Sequence, residues 1–500
     1  GTAARMVLLD ATGNRKQART VIEAVDERNR AAGAVRSSLT IAGQKVLVYR
    51  QEQTANDPDR EVFYFFRDDL LGYCDDRSTL TELLTRWSAD AGDSLRGNPS
   101  YRYALDKLDV DKRAADLIWF IEPLGLDSAL RSEEDESADA ELWRLLRRTG
   151  FQAIGGIGGS LTLADQGRTE WRMVVHRAEP LTQAARLLAL RTVPQQPVPG
   201  WMPASVAMLR TLQLDFASAL EGYGSWFEAT EGEGEEGIFD LVLDDIKHEP
   251  GGPQLDIRAD LIAQFTGPVY MASFVDRSAE IARETSAVAI KVKDAALVTE
   301  SIRRFFSGDP DIITPPPSIG EHVVWNYRNA RKPKDGKKQA MLGPDLSNVA
   351  VTVAHGYLIA AGNLETLRRV VESPDGEQPL SGDPRFSRAR SLITELASGE
   401  PILWQFDRGQ SSLLSTYDLL RAGRPDETST IVGRLLTLYF DIVAGSAGKR
   451  PAGQPTPRWP GIDFEKLPPF EKVSHHLRDT VLSAENLEQG WLLIGTTVPE

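Results

Sequence analysis

Apolar and polar positions alternate along this chain in a pattern that occurs twice. The first occurrence runs VFYFFRDDLLGYCDDRSTLTELLTRW, then LRGNPSYRYALDKL, and closes on DLIWFIEP. The second runs VAVTVAHGYLIAAGNLETLRRVVES, then LSGDPRFSRARSLI, and closes on PILWQFDRG. Thr79 and Leu80 match Thr366 and Leu367 at an offset of 287 residues. Leu95, Gly97, Pro99, Ala104 and Trp119 match Leu380, Gly382, Pro384, Ala389 and Trp404 at an offset of 285.

Each block has a physical reading. Leu80, Leu83, Leu84 and Trp87 fall at i, i+3, i+4 and i+7, the stripe of a helix with one buried face, and Leu364, Leu367, Val370 and Val371 repeat it. Thr79 with Glu82 has the spacing of a capping box. Asn98-Pro99 and Asp383-Pro384 each place a capping acceptor before the residue best tolerated at the first helical position. The short aromatic runs around Trp119 and Trp404 predict strands. Upstream, Val7 to Leu9 precede a helical stretch at about 17–29, and Ala289 to Val292 precede one at about 295–306. The order in both is strand, helix, strand, strand, helices, strand.

That order predicts an α+β chain with two split β-α-β units of the ferredoxin-like kind, on antiparallel sheets, joined by a mainly helical middle region. The expected domains are 1–192, 193–287 and 288–500. The proline-rich stretch Val193 to Pro203 marks the first boundary, because proline forbids continuation of a helix. Both units are expected to end in a hairpin, since SLTLADQGRTEWRMVVH, with Ala164 and Trp171, resembles TVLSAENLEQGWLLIGTTV, with Ala484 and Trp491.

Composition narrows the function classes. The 500 residues are 41% hydrophobic and 26% charged, enough to bury substantial cores. With 57 basic and 72 acidic residues the net charge is −15, which argues against nucleic-acid partners and suits solubility or basic partners. A single cysteine, Cys74, excludes an internal disulfide and a cysteine zinc site. No apolar run approaches the roughly 18 residues that would span a bilayer.

Candidate chemistry is sparse. Gly155 to Ser160 (GGIGGS) has the glycines of a phosphate cradle but lacks the lysine and hydroxyl of a P-loop, and reads as a flexible lead into a strand from Leu161. Asp240, Asp244 and His248, at i, i+4 and i+8, share one helix face with donors suited to a divalent metal. Phe239, Val242, Leu243 and Ile246 make the other side apolar, so a polar face is required there in any case. Arg328, Arg331, Lys332, Lys334, Lys337 and Lys338 form a basic loop that suits a polyanion or an acidic partner. Trp201 and Trp459 lie in proline-rich stretches and are the tryptophans expected to be exposed, as a glycan platform requires.

The stretches PGWMPASVAMLRTLQLDFASALEG, FDLVLDDIKHEPGGPQLDIRADLIAQFTGPVYMAS and LPPFEKVSHHLRDTVLSAENLEQGWLLIG resemble a family of large exported bacterial proteins of unknown function, made with a signal peptide. The similarity extends to FYFFRDDLLGYCDDRSTLTELLTRW and the GIGGSLTL turn. The resemblance implies export to the periplasm or beyond and assigns no catalytic residue. The expected function is a non-catalytic envelope or extracellular protein acting through protein or polymer contacts. The alternatives are a metal- or carboxylate-dependent hydrolase using Asp240, Asp244 and His248, and an anion- or glycan-binding module using the basic loop or the tryptophans.

Overall fold

The computed structural model describes residues 4–51, 60–87, 94–110, 114–130, 138–164, 167–192, 196–232, 234–277, 281–327, 348–372, 378–397, 399–424, 428 and 464–499. The fold is mixed α+β, its sheets antiparallel throughout. Residues 1–99 with 125–140 form one unit, and 100–124 with 141–500 form the other. The expected domain 1–192 is therefore divided, because the helix after Pro99 and the strand that follows pack with the later part of the chain.

In the smaller unit five strands follow the alternating runs: β1 (Met6–Asp10), β2 (Val35–Ile41), β3 (Gln44–Gln51), β4 (Arg60–Arg67) and β5 (Leu70–Cys74). Their order in the sheet is β1-β5-β4-β3-β2. β5 is antiparallel to both β1 and β4, so β1 and β4 run parallel with β5 between them. Val46, Val48, Phe63 and Phe65 point to one side and are buried with Leu80 and Leu84 of the helix Arg77–Arg86. That helix is capped by Asp76, which accepts from the Thr79 amide at 2.7 Å. The expected Thr79 box gives way to a cap three residues earlier, because a carboxylate already stands at the extended residue before the helix.

The larger unit contains β6 (Leu117–Ile121), β7 (Ile154–Leu163), β8 (Thr169–Arg177), β9 (Met208–Leu212), β10 (Phe265–Asp276), β11 (Arg283–Val292), β12 (Ser318–Ile319), β13 (His322–Val323), β14 (Trp325–Asn326), β15 (Ala350–Ala354), β16 (Tyr357–Ala361), β17 (Leu403–Asp407), β18 (Thr480–Leu487) and β19 (Gly490–Thr497). Twelve of them form one sheet, ordered β14-β15-β16-β11-β10-β9-β17-β18-β19-β8-β7-β6, while β12 and β13 pair separately. Its main core gathers Leu209, Ala272, Phe274, Ala289, Ile359, Trp404 and Phe406 under the helices Leu364–Glu372 and Pro384–Leu396.

Elements recur at the offsets of the sequence matches. β5 and β16 lie 287 residues apart at both ends, as do the first residues of the helices Arg77–Arg86 and Leu364–Glu372. Asn363 stands where Asp76 stands and likewise accepts from a threonine amide, Thr366, at 2.7 Å. The turns before β5 and β16 are Asp68-Asp69 and His355-Gly356, each with two positive φ angles (48° and 65°; 54° and 76°), the two-residue turn whose twist matches a hairpin. Helices begin at Pro99 and Pro384, 285 residues apart. β11, β16, β15 and β14 are neighbours in the same order as β1, β5, β4 and β3.

Three expectations are refined or corrected. First, the middle region, expected to be mainly helical, also supplies β9 and β10, two central strands of the large sheet. Pro268 is tolerated there because the β10 register breaks between Thr266 and Val269, a bulge at which no ladder donor is needed. Second, Trp119 is not the counterpart of Trp404. Phe120 meets Tyr101 edge-on at 5.3 Å, as Phe406 meets Phe386 at 5.5 Å. The strands therefore correspond at 286, one residue beyond the sequence match, and that slip puts Trp119 on the opposite face of the sheet. Third, Gly155 to Ser160 is no flexible lead but the body of β7. A Cβ at Gly158 would come 2.6 Å from the Ala104 methyl, at Gly156 2.6 Å from the Phe120 ring, and at Gly159 2.3 Å from the Trp119 indole. The glycines make room for a helix on one face and an indole on the other.

This packing makes a prediction. Gly158→Val should push the helix Pro99–Leu108 off the sheet and destabilise the protein by about 1–3 kcal/mol, read as a lower urea midpoint. A change within about 0.5 kcal/mol would show that β7 does not pin this helix.

Candidate functional site

The densest group of perturbed ionisable side chains lies where β9, β17 and β18 end. β17 alternates Trp404 and Phe406 towards the helices with Gln405 and Asp407 towards the other face. Across the ladder Gln405 stands opposite Arg210, whose Nε and guanidinium nitrogen donate to Gln405 Oε1 at 2.9 and 2.7 Å. Burial lowers the Arg210 pKa from its ordinary value.

Asp407 is half-buried beside this pair, and burial pushes its pKa up to about 6. The Ser412 hydroxyl, donating at 2.5 Å, works against that shift, and the charges of Asp479 and Glu284 add to it. Asp479 is also raised, mainly by burial. Asp383 behaves oppositely. Burial alone would raise it, but hydrogen bonds from the Arg408 guanidinium and the Arg385 amide hold it below the ordinary carboxylate value. Arg408 further donates to the Val206 and Ala204 carbonyls at 3.0 and 2.9 Å, tying β17 to the segment before β9. Nothing in the sequence signalled this group, because its members are brought together by strand pairing and not by spacing.

Two other arrangements have chemical form. Ser100 Oγ lies 2.9 Å from His176 Nδ1, a pairing also invisible in the sequence, but Ser100 is buried and the imidazole packs on Tyr103 at 4.6 Å between centroids. On the helix side of the large sheet, a cleft of about 860 Å³ is lined by Phe274, Asp276, Thr285, Asn363, Glu365 and Arg369, with the Arg369 guanidinium 5.2 Å from the Phe274 ring centre.

The residues singled out in the sequence fare unequally. Asp240, Asp244 and His248 are all exposed on the helix Ile238–His248. Asp240 pairs with Arg258 at 2.9 Å, and Asp244 lies 3.0 Å from His248. Among the described residues no three His, Cys, Asp or Glu side chains converge as metal ligands would. Trp201 is half-buried rather than exposed, packed against the main core and stacked on His355 at 5.8 Å, so one indole face is covered. Arg328, Arg331, Lys332, Lys334, Lys337, Lys338 and Trp459 lie outside the described residues. Among those residues no helix is long and apolar enough to cross a membrane.

The raised Asp407 pKa has a testable consequence for stability. A carboxylate titrating near 6 rather than 3.8 prefers its neutral form in the folded state. Its penalty is absent below the unfolded value, grows between the two, and is complete above about pH 6, where it reaches up to about 3 kcal/mol. Asp407→Asn should therefore raise Tm relative to the parent at pH 8 and leave it nearly unchanged at pH 4. Equal shifts at both pH values would mean that Asp407 ionises normally. Comparison with family models, with curated proteins and with solved structures found no match to the chain.

Proposed function

We propose that the protein is an exported, non-catalytic envelope or extracellular protein that acts through contacts with other polypeptides, and that it is built from two copies of a split β-α-β unit of the ferredoxin-like kind. The observation that carries this reading is the apolar exposure of two edge strands. In β6, Leu117, Ile118 and Ile121 are 52%, 41% and 38% exposed; in β1, Val7, Leu8 and Leu9 are 48%, 42% and 51% exposed. Contiguous apolar surface on a strand edge is a liability that stable proteins cover, blunt or use. The net charge of −15 keeps such a chain soluble and favours basic partners. The recurrence of turns, caps and helix starts at the offsets of the sequence matches supports the duplication.

The carboxylate-hydrolase alternative retains one specific observation, the neighbouring raised carboxyls of Asp407 and Asp479. Neither lines the 860 Å³ cleft, and Asp407 is engaged by Ser412. A role in holding three strand ends together accounts for the group without a substrate.

The test uses protein isolated from its native host without overproduction. Sedimentation should show a complex heavier than the 55.1 kDa chain, and amide hydrogen exchange should show residues 117–121 protected in it and released when it is dissociated. A lone 55.1 kDa species with fast exchange at those amides would defeat the reading.

A further inference from the structure

We infer that the outer edge of β6 is a strand-acceptor site for an extended, apolar polypeptide segment carrying a basic residue, supplied by another protein. The inference rests on reading the two halves as repeats and names the chemistry of the partner proposed above.

The repeat tells what belongs there. β6 corresponds to β17, and the two occupy mirrored places in the sheet run β17-β18-β19-β8-β7-β6. β17 pairs with β18 on one side and β9 on the other; β6 pairs with β7, and among the described residues no strand lies on its other side. Side-chain exposure follows that difference. Trp404 and Phe406 are 3% and 0% exposed, whereas Ile118 at the place of Trp404 is 41% exposed. The same contrast occurs in the smaller unit, where β1 corresponds by register to Ala287–Lys291 of β11. There Ala289, covered by β10, is 3% exposed, and its counterpart Leu8 is 42% exposed.

Edges of this protein that face water look different. β2, at the far edge of the small sheet, reads VRSSLTI, with Arg36, Ser37, Ser38 and Thr40 to discourage pairing. β6 reads LIWFI, with no polar side chain at all.

β9 supplies the template for the occupant. Its sequence MLRTL places Arg210 opposite Gln405, Leu209 opposite Phe406 and Met208 opposite Asp407. Carried to β6, the arginine would stand opposite Trp119, where a guanidinium stacks favourably on an indole. Asp116 and Glu122, flanking β6, add attraction for a basic strand. Main-chain hydrogen bonds would supply affinity, and alternate side chains specificity, as in other cases of strand addition.

The probe is a fluorescein-labelled peptide with the sequence of residues 206–214, VAMLRTLQL, titrated into the whole protein and followed by anisotropy. Saturable binding of one peptide per chain is expected, weakened on the order of tenfold by Ile118→Lys in the protein and by replacing the peptide arginine with alanine. Leu241→Lys, on an exposed helix face, should bind as the parent does, and circular dichroism checks that both variants are folded. Absence of saturable binding, or equal binding by Ile118→Lys, overturns the inference. So does a homodimer that Ile118→Lys dissociates, since the occupant would then be a second copy of this chain. A failed peptide with β6 still protected in the native complex rejects only this strand chemistry, whereas an unprotected β6 rejects the function itself.

Discussion

The larger unit depends on the backbone ladder between β8 and β19, where the hairpin of β7 and β8 meets the hairpin of β18 and β19. Every residue from Gly490 to Thr496 has a partner between Glu170 and His176. Trp491 stands opposite Val175 and Trp171 opposite Gly495, so exchanging the two hairpins exchanges the two pairs. A Cβ at Gly495 would lie 2.1 Å from the Trp171 indole. That glycine is the condition for the two hairpins to close together at this point. Without the ladder, the sheet would be two unrelated pieces with two more apolar edges to cover.

Much of this build was legible in the sequence because it is local. Helix stripes and proline at the first helical position follow from neighbours within a few residues, whereas the expected order of strand, helix, strand, strand, helices, strand omits β2 and β5. The two-block match did not separate β5 or β16 as strands, yet both recur at its offset of 287 residues, because turn chemistry fixes where a hairpin reverses. Its failure is equally physical. Matching Trp119 to Trp404 is correct as letters and wrong as geometry, since facing direction changes with every residue along a strand. Only the ring contacts of Phe120 with Tyr101 and of Phe406 with Phe386 reveal the true register.

What the sequence concealed was whatever depends on distant partners. β10 carries a glycine and a proline, the residues that argue against a central strand, and the bulge that accommodates them is visible only beside β9 and β11. The group around Asp407 draws on residues as far apart as Arg210 and Asp479, and no spacing rule connects them. In the other direction, Asp240, Asp244 and His248 had helical spacing in their favour. That spacing is also what any exposed face of an amphipathic helix presents; Asp240 is engaged by Arg258, and Asp244 lies 3.0 Å from His248.

The far faces of β6 and β17 have diverged in a way that follows from their neighbours. In β17 that face is polar, with Gln405 and Asp407, and it is matched by Arg210 from β9, which forks onto Gln405. Removing β9 would leave an amide and a carboxylate without the guanidinium that offsets their burial. In β6 the same positions are Trp119 and Ile121, and Trp119 satisfies itself by packing over Gly159 of its own sheet. An indole held by a glycine on the adjacent strand needs no partner to stay in place, whereas Gln405 and Arg210 need each other. Among the described residues β6 thus keeps its indole with a strand on one side only, whereas β17 is joined on both sides, to β9 and β18.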